Sequence, residues 1–452
     1  MLIRKRLQRH AARLLSSTVL KHTRRAGWRI RQALAAGQPT VNVWLRADDP
    51  YSYLLAQVLP QLQSRFAVNW QLNICAELQQ DMYPEPQMWQ HNASLDAKLL
   101  AALYGLEQPL PDNSSLPGSP SQSEPLSYAQ IEVATARLLR LEGSQPDWQQ
   151  VLTVFDDLWQ RRMLEAQPLT TGQQQQLQRN DQRLRQQGHY LSATLKFQGE
   201  WYWGLDRLDH LERRLNELQL NRDAGTVYFN KTYAQFCRPF DDGPVTALKR
   251  EQPLILYFSI RSPYSHLGLE RMVKLAQHYG LRLEIKPVLP MIMRGLKVPP
   301  TKKFYIFHDT KREADKLGIA YGFVADPLGL GVERCYALFE YARQQGRATD
   351  YLLSYARGVN AEGILSETDA GLKYIVERAG LQWSQAQAIL ERPDWQTAWH
   401  GWAEANREEM IAQGQWGVPS LRYGELTLWG QDRIEFIEQA VRRHLGIADQ
   451  QS

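Results

Sequence analysis

Gly417-Val-Pro-Ser-Leu-Arg-Tyr-Gly-Glu-Leu-Thr-Leu-Trp-Gly-Gln-Asp-Arg433 repeats the design of an earlier stretch, Ser192-Ala-Thr-Leu-Lys-Phe-Gln-Gly-Glu-Trp-Tyr-Trp-Gly-Leu-Asp-Arg207. Each reads as strand, turn, strand and then Trp-Gly-x-Asp-Arg. An amphipathic helix follows, Ile434 to Leu445 in the later copy and Leu208 to Leu218 in the earlier one. The repeat predicts a tandem duplication. Its two copies differ where chemistry would sit, which separates a candidate working half from a scaffold half.

Working outward, the later copy is preceded by a strand at Pro253 to Ser259, a helix at Tyr264 to Tyr279, a strand at Leu281 to Val288 and a helical insert from about Lys302 to Met410. The earlier copy has the same order. A strand at Val41 to Arg46, a helix at Tyr51 to Phe66 and a strand at Ala67 to Ile74 lead to helices at Tyr128 to Leu141 and Trp148 to Met163. A polar helix at Gln173 to Gln187 comes next, and Gln108 to Pro125, rich in Pro and Ser, reads as a loop. Strands too far apart for a hairpin imply βαβ crossovers with parallel pairing. A βαβ unit, a block of helices and a ββα unit make the order of a thioredoxin fold with an inserted helical domain. The expected organisation is α/β, with a basic arm over 1–38, thioredoxin-like domains over 39–220 and 251–447, and a connector over 221–250.

A chain of 452 residues is long enough for two cores of this size. Its net charge of +5 hides an asymmetry, because residues 1 to 47 hold eleven Lys and Arg and no acid. The remainder carries 42 basic against 48 acidic residues, which disfavours nucleic-acid binding across the body. No apolar run is long enough to span a bilayer, and the arm lacks the apolar core of a secretory signal. Ile3, Leu7, Ala11 and Leu14 fall at helical spacing among Arg4, Arg6, Arg9 and Arg13. That pattern fits either a membrane-surface helix or a solvated or docking extension. Cys75, Cys237 and Cys335 form no Cys-x-x-Cys, which argues against dithiol chemistry and suits a reducing, cytoplasmic compartment.

Three elements carry candidate chemistry. Ser262 before Pro263 has the pattern of a helix N-cap with Pro at N1, and its hydroxyl would also face an anion at the positive end of the helix. Val418-Pro419 leads into a strand, either as an ordinary trans entry or as a cis-proline exposing the Val418 backbone to an extended ligand. Gln431 and Asp432 open the last helix, where Asp432 either complements the helix dipole or binds a ligand amine. His266, one turn into the first helix, reads either as a proton donor near the site or as an ordinary helix-surface histidine. No metal-binding pattern is evident.

Ser262-Pro-Tyr264, Gly417-Val-Pro419 and Trp429-Gly-Gln-Asp-Arg433 together resemble the 2-hydroxychromene-2-carboxylate isomerases and kappa-class glutathione transferases of the DsbA-like thioredoxin superfamily. The likeness runs over about residues 253 to 445. Lys286-Pro-Val-Leu, Lys302-Lys-Phe-Tyr305, His308-Asp309, Leu317-Gly-Ile319 and the helix around Arg334 fall in the expected order between the anchors. The resemblance implies glutathione as cofactor. Ser262 would hold its sulfur as thiolate, Val418 beside Pro419 would pair with its cysteinyl backbone, Gln431 and Asp432 would hold the γ-glutamyl end, and Lys302 would meet the glycyl carboxylate. It further implies nucleophilic catalysis by a borrowed sulfur, on a small conjugated or electrophilic aromatic substrate. The family pattern has an Asn in the loop after the second strand, and Gly295-Leu-Lys-Val-Pro-Pro300 has none.

In the earlier copy the serine position is Asp49, a carboxylate that would repel a thiolate, and the proline position is Ala193. That half is expected to have lost glutathione and to pack on the other as a stand-in for the second subunit of a homodimer. The rival expectations are a non-catalytic DsbA-like binding protein and an oxidoreductase in name without the dithiol.

Overall fold

The computed structural model describes residues 2–35, 37–76, 82–83, 85–109, 126–162, 169–234, 236–240 and 250–447. The chain forms two compact units, an N-terminal one of Arg25–Lys231 and a C-terminal one that joins Met1–Arg24 to Thr232–Ser452. The basic segment is two helices, α1 (Leu2–Leu15) and α2 (Thr18–Leu34), and not a single one. The break comes where Ser17 turns its hydroxyl back to accept from Leu20 N at 3.2 Å, the work of a helix N-cap. The division between the two units falls inside α2.

The N-terminal unit continues through β1 (Thr40–Leu45), α3 (Pro50–Arg65), β2 (Asn69–Ile74), α4 (Pro86–Tyr104), α5 (Tyr128–Leu141), β3 (Gly143–Ser144), α6 (Trp148–Trp159), α7 (Thr171–Gln186), β4 (Thr194–Phe197), β5 (Glu200–Trp203) and α8 (Leu208–Glu217). Its sheet runs β3-β2-β1-β4-β5, with β1 and β2 parallel and the other pairs antiparallel. The expected loop of Gln108 to Pro125 lies largely outside the described residues.

After α9 (Lys231–Ala234), the C-terminal unit has β6 (Leu254–Phe258), α10 (Pro263–Tyr279) and β7 (Leu283–Pro287). The helical insert follows as α11 (Pro300–Leu317), α12 (Leu330–Gln344), α13 (Ala348–Asn360), α14 (Asp369–Arg378), α15 (Trp383–Leu390) and α16 (His400–Ala412). The unit closes with β8 (Ser420–Tyr423), β9 (Leu426–Trp429) and α17 (Ile434–Leu445). Its sheet runs β7-β6-β8-β9, again with one parallel pair, β6 and β7.

The two sheets share a register. Val41 to Trp44 pair with Phe197 to Thr194, and Leu254 to Tyr257 pair with Tyr423 to Ser420. In each unit one face of the sheet is fully buried: Val41, Val43, Leu45 and Leu72 in one, Leu254, Leu256 and Leu421 in the other, are at most 1% exposed, while Asn42 and Ile255 on the opposite faces are half-buried. The crossover helices also match in detail. Tyr51 donates to Asp96 on α4 at 2.7 Å, and Tyr264 donates to Asp309 on α11 at 2.7 Å.

Besides the short α9 inside the expected connector, two elements go beyond the sequence reading. Helix α4 buries Ala93, Ala97 and Ala101, which carry little hydrophobic signal, beside Trp89, Asn92 and Leu100, and its N-cap Glu85 makes no side-chain cap bond. The edge strand β3 has only two residues, too few for alternation to register.

Candidate active site

The first wall of the site is the start of α10. The chain leaves β6 through a turn closed by Ser262 N donating to Ser259 O at 2.9 Å. Ser262 then caps the helix, its Oγ accepting from Ser265 N at 3.2 Å, with Pro263 at the first helical position. The same Oγ donates to Val418 O at a long 3.4 Å. A bond that long leaves the hydroxyl proton open to a stronger acceptor.

The second wall is the loop entering β8. Val418-Pro419 is cis. Gly417 must be glycine, because a Cβ there would lie 2.8 Å from Trp429 Nε1. Pro419 lies on the backbone of α10 at Gly268, where an added Cβ would meet the proline ring at 3.2 and 3.3 Å. The pairing of β6 with β8 ends at Tyr257 and Ser420, so the Val418 peptide stands beyond the ladder. Ser420 Oγ holds the turn by donating to Gly417 O at 2.7 Å.

The third wall is the turn before α17. Gln431 is 1% exposed, and its groups are committed within the protein. Arg271 of α10 donates through Nη1 to Gln431 O at 2.5 Å and to its Oε1 at 2.6 Å, while Gln431 Nε2 donates to Asp432 Oδ1 at 2.6 Å. Gln431 therefore orients Asp432, which is half-buried. Sequence reasoning missed Arg271 and Gly268. An isolated glycine inside a helical pattern was the available signal for the close approach.

Lys302 lies on another element, in the first turn of α11. That helix is tied to α10 by the bond from Tyr264 to Asp309. Arg261, next to Ser262, is fixed by two bonds of 2.8 Å to the Asp326 carboxylate. His266 is not on the helix surface: it is fully buried, its Nε2 lies 3.0 Å from Ala320 O, and burial lowers its pKa. A neutral, inward-facing imidazole corrects the surface reading and serves to fix the loop after α11. The end of β7 does meet an asparagine, brought from α16, as Asn406 Nδ2 donates to Pro287 O at 2.9 Å.

The three cysteines are unpaired, and Cys75 and Cys335 are buried. Burial pushes both thiols up, and it raises Cys237, beside Glu438, to about 11. None is poised as a thiolate. Among the described residues no group of three or more His, Cys, Asp or Glu side chains is placed to hold a metal ion, and no helix is long and apolar enough to cross a membrane. A cavity of about 460 Å³ in the helical insert is lined by Tyr336, Tyr341, Arg392, Trp395, Trp399 and Trp402 among others, none of them from the three walls.

At the same place in the N-terminal unit, Asp49 is the cap. It is 1% exposed and accepts from Tyr51 N at 3.2 Å, Ser52 Oγ at 2.7 Å and Ser192 Oγ at 2.7 Å. Desolvation raises its pKa, and Arg46 opposes the rise. Its acceptor oxygens are thus occupied by the protein itself.

Residues 253–442 match the family of DSBA-like thioredoxin domains. The chain is 28% identical to 2-hydroxychromene-2-carboxylate isomerase of Pseudomonas putida over 204 residues, covering 41% of this chain and 93% of that one. It is 25% identical to the protein of the same name from Sphingobium xenophagum over 190 residues, 40% of this chain and 94% of that one. A solved 2-hydroxychromene-2-carboxylate isomerase aligns with 42% of this chain and 95% of its own, at 26% identity and a TM-score of 0.37. Residues 253–442 are thus a DsbA-like thioredoxin domain, similar in sequence to proteins named 2-hydroxychromene-2-carboxylate isomerases.

Proposed function

We propose that the C-terminal unit is a glutathione-dependent isomerase of a small conjugated aromatic compound, with one active site at Ser262. The observation that carries this reading is the convergence of the Ser262 hydroxyl, at the N-terminus of α10, on the Val418 peptide, 3.4 Å away and outside the β ladder. The residues fit an extended peptide-like thiol. The unladdered Val418 backbone would pair with its main chain, the oriented Asp432 carboxylate would receive its amine, and Lys302 would meet its far carboxylate. When bound, glutathione supplies a nucleophilic thiolate that adds reversibly to a conjugated double bond. Ser262 would donate its hydrogen bond to that sulfur, and the positive end of α10 would favour the anion. Arg271 and Gln431 would keep Asp432 in place.

The names of the relatives favour isomerisation over transfer. The matching registers, caps and tyrosine–aspartate bonds support a tandem duplication in which the N-terminal unit no longer holds glutathione. Assay with 2-hydroxychromene-2-carboxylate, with and without glutathione, tests the reading. Turnover that requires glutathione and falls at least about a hundredfold in Ser262→Ala is expected, by analogy with loss of a single oriented donor. Turnover independent of glutathione, or untouched by Ser262→Ala, contradicts it.

A further inference from the structure

The apolar stripes of the basic segment face away from the protein. In α1 the side that meets the C-terminal unit is polar: Lys5 Nζ donates to Leu328 O at 3.0 Å and pairs with Glu367 at 3.3 Å, Arg9 donates to Gly363 O at 2.7 Å, and Ser16 donates to Gly322 O at 3.1 Å. Arg9 and Arg13 also lie over the Phe323 ring, at 5.6 and 5.1 Å. At 100° per residue, Leu7 and Leu14 fall on the opposite side of that helix, and they are 68% and 63% exposed. In α2, Arg25 pairs with Glu200 and Glu217 of the N-terminal unit, and Trp28 lies against Gly199. Val19, Ile30 and Leu34, at spacings of i, i+11 and i+15, share the opposite side of α2 and are 77%, 62% and 83% exposed.

Ordinary surface helices do the reverse, burying the apolar stripe and solvating the cations. Here each helix spends cations on its dock and leaves an apolar stripe uncovered, flanked by the exposed Arg6, Arg24 and Arg29. Residues 1–38 contain no Asp or Glu. An apolar stripe flanked by cations without a single carboxylate is complementary to an anionic lipid surface, where the stripe enters the acyl boundary and the arginines meet phosphates.

We propose that α1 and α2 are each peripheral membrane-binding helices for anionic phospholipid bilayers, holding the chain at the interface without crossing it. The inference does not depend on the isomerase reading. The test is flotation of the full chain with phosphatidylcholine vesicles, with and without phosphatidylglycerol, at low and high salt. The chain should float with the anionic vesicles only, and salt should weaken it. Leu14→Glu with Ile30→Glu should lower binding at least about tenfold, and Arg29→Gln about fivefold, with glutathione titration unchanged in both. Absence of flotation, or equal flotation of the double glutamate variant, overturns the proposal. So does a wild-type dimer in light scattering that the double variant converts to monomer, because a second copy would then cover the stripes.

Discussion

The caps of α3 and α10 occupy one position in two identical registers and do opposite things. Asp49 is sealed, its carboxylate satisfied by Tyr51 N, Ser52 and Ser192. Ser262 is half-buried and holds Val418 O only at 3.4 Å. The difference continues inward as matched pairs. Six residues after the cap stand Leu55 and Gly268, and across from Gly268 lies Pro419, whose counterpart is Ala193. Nine residues after the cap stand Val58 and Arg271, and the bonded partner of Arg271, Gln431, has Leu205 as its counterpart. Val58 and Leu205 are 3% and 1% exposed. Where the C-terminal unit has a glycine under a proline and a bonded arginine–glutamine pair, the N-terminal unit has apolar side chains at every matched position, so each core is packed in its own way.

The largest effect should come from forcing one solution into the other. Gly268→Leu would drive a side chain into Pro419, costing about 3 kcal/mol in urea unfolding and abolishing glutathione binding. A cost under about 1 kcal/mol would mean that the close approach is not required. Arg271→Val alone strands buried groups of Gln431 and should cost about 2 to 3 kcal/mol. The double change Arg271→Val with Gln431→Leu, which copies the N-terminal unit, should cost at least about 1 kcal/mol less than the sum of the single changes. Strict additivity would break the comparison. Asp49→Ser should cost about 2 kcal/mol by leaving the Ser192 and Ser52 hydroxyls without their acceptor and Arg46 without one of its two neighbouring carboxylates, and it should not create a second glutathione site.

The smallest expected effect is in pH dependence. Burial lowers the His266 pKa below its ordinary 6.5, so the unfolded chain takes up the proton first. The stability contributed by the neutral ring is complete above pH about 6.5 and is lost as pH falls toward the lowered folded value. His266→Gln, whose amide can still donate to Ala320 O, should remove that part of the acid-side loss. Parallel pH profiles for the wild type and the variant would contradict the buried, neutral assignment.

The two sheets were legible because strands, turns and Pro or Gly punctuation are local signals. The cap at Ser262, the Val418-Pro419 strand entry and the turn at Gln431 and Asp432 were legible for the same reason. What a residue faces is not local. Arg271 reads as one more helix arginine until the turn before α17 is brought beside it, and His266 reads as solvent-facing until the Gly318 to Ala320 loop covers it. The stripe of Leu7 and Leu14 predicts amphipathicity but not its direction, which is set by Glu367, Phe323 and the carbonyl groups of Gly322 and Gly363. Helix α4 escaped because half of its buried residues are alanines and its N-cap, Glu85, makes no side-chain cap bond.

The central proposal is that of two scaffolds with matching strand registers only the C-terminal one holds glutathione. Calorimetric titration of the full chain with glutathione tests it directly, with Ser262→Ala and Asp432→Ala alongside. One glutathione per chain, with binding lost in Asp432→Ala and ultraviolet thiolate absorbance reduced in Ser262→Ala, is the predicted result. Two per chain, none, or binding indifferent to both substitutions would contradict it.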